Sequence, residues 1–338
     1  MPSAAKPTLV LQGGGALGAY ELGAARRLYE NPAFAPEIVA GVSIGAITAV
    51  LLARPAKELK PLEALEKFWK LVAVSGWFLA PPFQEYASAL GNPRFFMPRL
   101  DIFNLPNWTY IYDTTPLRRT LEQLVDVDAL ADVTAKPQLL VSATDIAAGQ
   151  VTYFDSADEP LTLDAILASG SLPPSFPMTK IGDTAYWDGG LFDNTPLGAV
   201  LDRLAKLPAA EQRVIYVVNL FPNKAPVPAT LAQVFERMSN LQFANRTAED
   251  VKLLRRFNEV GDLIKAIEAL PAGHPLRADP AFTAIKARGY ITVPDIVEIT
   301  RPDQVAGFGG SDFSPETIED RAAEGYAQTD KALKAAAD

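Results

Sequence analysis

Two glycine-rich turns, each set between a short apolar run and a helical pattern, constrain the fold of this 338-residue chain more than any other feature. Thr8 to Leu11 is β-rich and stops at Gln12-Gly13-Gly14-Gly15, and a helical stretch follows from about Gly18 to Glu30. Glu37 to Ala40 is a second short run, ending at Gly41, and an apolar helix runs from Ile44 to about Ala53. Strand, glycine turn and helix, twice over, predict an α/β fold with a parallel sheet. Both runs are nearly all apolar, as expected of strands covered by helices on both faces.

The rest of the chain continues the alternation. Leu62 to Val72 has amphipathic helical spacing, and Thr115 is the expected cap of a helix with Pro116 at its first position, reaching about Leu124. Gln138 to Ala143 and Gln150 to Phe154 read as a hairpin turning near Ala148 and Gly149. A short helix, Leu163 to Ser169, precedes the proline-rich Leu172 to Pro177. Strands are predicted at Thr184 to Trp187, Val214 to Asn219 and Asp295 to Ile299. Helices are predicted at Thr230 to Leu270 and Pro315 to Ala336. Residues 76–112 differ in composition: ten of these 37 residues are aromatic, against 9% overall, which suggests an irregular insertion or lid.

Composition removes several chemistries. The chain has no cysteine, so thiol nucleophiles, disulfides and thiolate metal sites are excluded. Its one histidine, His274, excludes any multi-histidine metal site, and no metal or organic cofactor is called for. A net charge of −9 argues against a nucleic-acid partner. No basic n-region with an apolar h-region begins the chain, and no run is long enough for a spanning helix, so it reads as cytoplasmic.

Three motifs carry chemistry. Gly41-Val42-Ser43-Ile44-Gly45 is a G-x-S-x-G between a strand and a helix, which sets Ser43 Oγ on a tight turn and the Ile44 amide at a helix N-terminus. Gln12-Gly13-Gly14-Gly15-Ala16-Leu17-Gly18 can cradle an oxyanion or a phosphate. Gly13, Gly15 and Gly18 also fit a dinucleotide fingerprint, with Glu37 as its only candidate acid, but that reading leaves Ser43 unexplained. Trp187-Asp188-Gly189-Gly190 can aim a carboxylate into a cleft, although a surface Asp-Gly turn is the bland reading. His274 sits in a proline- and glycine-rich stretch that reads as an ordinary loop, so a carboxylate is the remaining candidate to activate Ser43.

In this order, the three motifs over roughly residues 8–200 resemble the patatin-like phospholipase family. The resemblance implies a three-layer α/β/α fold with a mostly parallel central sheet, acting on lipid or other acyl esters. It implies a Ser–Asp dyad of Ser43 and Asp188, with Gly13, Gly14 and Gly15 as oxyanion-hole glycines beside Ile44. Many members carry a basic residue where Ala16-Leu17 stand here. The segment Ala168 to Pro177, with Pro174, is similar to the family stretch that lines the site, and Phe95, Phe96 and Trp108 are the candidate apolar wall for an acyl chain. The expected organisation is a catalytic α/β domain over 1–220 and a mainly helical extension over 221–338 packed on it. A non-catalytic lipid-binding protein on the same fold and a dinucleotide-binding oxidoreductase using the glycine loop stay open as alternatives, as does transient contact with a membrane surface through the apolar insertion.

Overall fold

A computed structural model describes residues 5–75, 90–207, 213–221, 224–287, 295–302 and 310–336. Its strands are β1 (Lys6–Leu11), β2 (Ile38–Gly41), β3 (Met97–Pro98), β4 (Tyr112–Asp113), β5 (Gln138–Asp145), β6 (Gln150–Asp155), β7 (Thr179–Ile181), β8 (Thr184–Asp188), β9 (Arg213–Asn219) and β10 (Asp295–Thr300). Its α-helices are α1 (Ala19–Tyr29), α2 (Ile44–Ala53), α3 (Pro61–Leu71), α4 (Thr115–Leu124), α5 (Val127–Ala131), α6 (Leu163–Ser169), α7 (Leu197–Ala205), α8 (Leu231–Glu268), α9 (Pro280–Ala287) and α10 (Pro315–Ala335).

The main sheet runs β10-β9-β1-β2-β5-β8-β7, with β6 also paired to β5. The pairings from β10 to β5 are parallel; those of β5 with β6, β5 with β8 and β7 with β8 are antiparallel. The sheet is therefore mixed, with a parallel half and an antiparallel margin. Parallel strands need crossover helices, whereas the β5–β6 and β7–β8 hairpins need only the tight turns at Gly149 and Gly182, both with positive φ. Two cores flank the sheet. Leu9, Leu11, Val39 and Leu139 pack with α1, α2, α3 and α6, and Val10, Ala40, Leu140 and Ile215 pack with α7. Alternate residues of one strand thus serve opposite faces, which is why β1, β2 and β5 are buried along nearly their whole length and rich in apolar residues.

All ten residues of α2 are buried. A helix apolar on every side can be stable only inside the protein. It lies on β1, β2 and β5, and α1, α3 and α6 flank it. Its one polar side chain past the first turn, Thr48, donates to the fully buried Glu21 carboxyl of α1 at 2.6 Å. The last strand and helix return to this core: β10 extends the sheet beside β9, and α10 packs against α1.

Two details differ from the sequence expectation. The helix begins at Thr115 itself, with Thr114 at the N-cap position making no side-chain cap hydrogen bond, and Thr115 binds Asp113 through both its N–H and its hydroxyl. Residues 76–89 of the aromatic stretch, with Trp77, Phe78, Phe83 and Tyr86, lie outside the described residues. The described remainder divides. Phe95 and Phe96, each 6% exposed, interlock with Phe176 and Phe313 in the core. Leu100, Ile102, Phe103 and Leu105 stand in solvent, with Phe103 98% exposed.

Candidate active site

Strand register delivers Ser43 and the Asp188 carboxylate to one level of the sheet. Gly41 pairs with Val141, and Ser43 is two residues further along its chain. Ala143, two residues past Val141, pairs with Asp188. The Ser43 hydroxyl donates to the Asp188 carboxylate.

Ser43 sits on a strained turn. Its φ of 56° and ψ of −122° make it the one non-glycine residue with positive φ among the described residues. Such a conformation costs roughly 1–3 kcal/mol and persists only where surrounding structure imposes it. Here α2 starts so close to β1 that the turn has no room for side chains on either side. A Cβ on Gly45 would lie 2.5 Å from the Leu11 carbonyl oxygen, and one on Gly41 would strike the Gly45 carbonyl. The turn is pinned from below by α6, whose buried Ser169 Oγ accepts the Ser43 N–H at 2.9 Å.

Asp188 is 2% exposed. Its Oδ1 accepts the Gly190 N–H at 2.8 Å, its N–H donates to Ser171 O at 3.0 Å, and its carbonyl accepts Thr144 Oγ1 at 2.8 Å. Burial disfavours the charged carboxylate and pushes its pKa up to about 7; the hydrogen bonds from Ser43 and from Gly190 N–H pull the other way. The group is thus a far stronger base than an exposed aspartate, and it ionises near neutrality.

The glycine loop after β1 lies beside this pair. Gln12, 1% exposed, anchors its base: Oε1 accepts the Leu220 and Phe221 amides, and Nε2 donates to Thr195 Oγ1 and to Phe243 O. Asn194, six residues past Asp188, grips Gly13 twice, accepting the Gly13 N–H at 3.3 Å and donating to its carbonyl at 3.1 Å. The Gly13 amide is therefore engaged by the Asn194 carbonyl. The Gly14, Gly15 and Ile44 amides donate to nothing among the described residues. Gln12 lies in the glycine motif and Ser169 in the Ala168–Pro177 segment, but the hydrogen bonds of both, and the part played by Asn194, depend on partners far along the chain. Only the position of Asn194, just after the Asp-Gly-Gly turn, could have pointed to it.

The other candidates fall elsewhere. His274 caps the short helix Pro275–Ala278, its Nδ1 accepting the Leu276 N–H. Glu37 lies at the opposite end of β2 from the glycine loop and pairs with Lys6 and Arg213, so it cannot serve a ligand on that loop. Pro174 O accepts the Ile111 N–H, tying the 97–112 region to the proline-rich stretch that begins three residues after Ser169. Trp108 and Tyr110 each hold a ring against the Arg99 guanidinium, at 4.6 and 4.5 Å.

The patatin-like phospholipase family model matches residues 9–201 of this chain, more than half its length, and spans the glycine loop, the Ser43 turn and Asp188. The chain belongs to that family. The mixed sheet with helices on both faces is the patatin fold. None of the curated proteins matches. Among solved structures it is similar to VipD from Legionella pneumophila, with 16% identity over 99% of this chain and 67% of that one and a TM-score of 0.42. A second is full-length ExoU, in complex with SpcU, from the type III secretion system of Pseudomonas aeruginosa. That match has 16% identity over 71% of this chain and 49% of that one, with a TM-score of 0.30. This patatin-like chain has no helix among its described residues long and apolar enough to cross a membrane.

Proposed function

We propose that the chain is a serine acyl-ester hydrolase that releases fatty acids from lipids by a Ser43–Asp188 dyad. The observation that carries the reading is the Ser43 hydroxyl bonded to a buried carboxylate that ionises near pH 7. An alcohol is a weak nucleophile until a base takes its proton, and the best base has a pKa near the working pH. As Ser43 Oγ attacks the ester carbonyl, its proton passes to Asp188. The tetrahedral oxyanion is held by the Gly14, Gly15 and Ile44 amides. Asp188 then returns the proton to the departing alcohol, leaving an acyl-Ser43. Water attacks this ester with Asp188 as base, and the fatty acid leaves. Each oxyanion donor contributes on the order of 3–4 kcal/mol of barrier lowering, so the loop is as necessary as the dyad.

The lipid interface in this reading is the tip formed by residues 100–105. Leu100, Ile102, Phe103 and Leu105 are all exposed there. The two charges beside them, Arg99 and Asp101, pair with each other. With a net charge of −9, attraction to anionic headgroups is unfavourable, so contact rests on apolar insertion. The tip connects to the site through Ile111 and Tyr112, whose amides donate to Pro174 and Ser175 carbonyls.

Hydrolysis of p-nitrophenyl esters from two to sixteen carbons, with Ser43→Ala alongside, tests the proposal. Turnover that the substitution abolishes supports it. Lipid binding without turnover at any chain length would instead favour a binding protein on this fold.

A further inference from the structure

The site has a second contribution from far along the chain, outside residues 9–201. Arg321 of α10 is 7% exposed, and its Nη1 donates to the carbonyls of Ala16 and Asp312, both at 3.0 Å. Ala16 in turn donates its N–H to Gly310 O at 2.9 Å. The glycine loop is thus clamped from outside by the turn that leads into α10. The Ala16 carbonyl belongs to the same peptide unit as the Leu17 N–H, and that N–H donates to Gly14 O at 3.2 Å. The Gly14 carbonyl shares its peptide unit with the Gly15 N–H, which points to no protein acceptor among the described residues. Gly15 can close this turn because it holds φ at +57° and because a Cβ there would meet Gly310 O at 2.5 Å.

A continuous line therefore runs from the Arg321 cation through two peptide units to the Gly15 amide. Hydrogen bonds in series polarise one another in a low-dielectric interior. A fixed cation at one end strengthens the donor at the other, and the same bonds fix where that donor points. We infer that Arg321 is a positioning residue for the oxyanion loop, which sets and polarises the Gly15 N–H so that the C-terminal helix completes the hydrolase site. The inference rests on the Ser43–Asp188 reading above. Arg321 itself touches no reacting atom.

The test uses the full chain with wild-type Arg321, Arg321→Met, Arg321→Gln and Arg321→Lys. Two reagents are compared: a short p-nitrophenyl ester, and a p-nitrophenyl alkylphosphonate read by intact mass. In the phosphonate reaction Ser43 Oγ forms a bond to phosphorus, p-nitrophenolate leaves with the bonding pair, and the serine proton passes to Asp188. Rates are normalised to the fraction of chains labelled at completion, so unfolded chains do not count.

Loss of a well-set oxyanion donor costs about 10²-fold in rate, and partial misplacement less. Arg321→Met and Arg321→Gln are expected to slow both kcat and phosphonylation by about 10- to 100-fold, with KM within about threefold. Arg321→Lys restores part of the loss, because it returns the charge. If the methionine variant does not fold, the order of lysine above glutamine decides the matter. Rates for Met and Gln within about threefold of wild type, or glutamine equal to lysine, overturn the positioning role alone. A wild-type chain that neither turns over ester nor takes the phosphonate label overturns the Ser43–Asp188 reading, and this inference with it.

Discussion

Replacing Asp188 by asparagine separates the two consequences of burying that carboxylate. Folding raises its pKa from 3.8 to about 7, so the folded chain holds the Asp188 proton more tightly than the unfolded chain. This favourable contribution is complete below pH 3.8 and is lost as pH climbs through 7. The shift amounts to roughly 4 kcal/mol once the group is fully ionised in both states. Between pH 5 and pH 8 the same two values give a loss of about 3 kcal/mol. Asparagine is neutral throughout and can still accept the Gly190 N–H. Asp188→Asn should therefore gain on wild type by about 3 kcal/mol as pH rises from 5 to 8, while hydrolysis disappears. Urea midpoints of both chains at the two pH values measure the difference, read with their slopes. In wild type, kcat/KM should rise with pH to a plateau, with its midpoint near 7, because only the ionised form accepts the Ser43 proton. A stability gap that does not move with pH, or a flat activity profile from pH 6 to 8, would refute the reasoning.

Further expectations follow from the same geometry. Ser43→Gly and Ser43→Ala both abolish the hydroxyl, but glycine also relieves the positive φ; it should be the more stable of the two by about 1–2 kcal/mol in urea unfolding, and equality would show that the turn is unstrained. Ser169→Ala strands the Ser43 N–H and should cost about 1–3 kcal/mol of stability together with part of kcat, measured by urea midpoint and ester turnover. Gly45→Ala drives a methyl against the Leu11 carbonyl and should destabilise by at least about 1–3 kcal/mol; a normal unfolding midpoint would disprove the close approach. Phe103→Ser should weaken co-sedimentation with zwitterionic vesicles while leaving short-ester kcat/KM unchanged, and undiminished sedimentation would remove the tip from the interface.

Much of this architecture could be read from the chain itself. A glycine that ends an apolar run, or a helix that buries every side, is a local pattern, set by neighbours within a few residues. The bounds of α2 and α6 therefore emerged as expected, and β1 and β9 did so to within two residues. The three motifs also named Ser43, Asp188 and the glycine loop, because tight turns admit few residue types. What sequence could not carry was pairing between distant segments. It did not show that β8 lies antiparallel to β5, and that register alone brings Asp188 level with Ser43. Nor did it show that Asn194 occupies the Gly13 amide, that Phe95 and Phe96 are core side chains, or that Arg321 reaches the glycine loop. The basicity of Asp188 is likewise a tertiary property. Its residue type supplies a weak base, and only the surrounding core, by excluding water from the carboxylate, brings its ionisation to neutral pH.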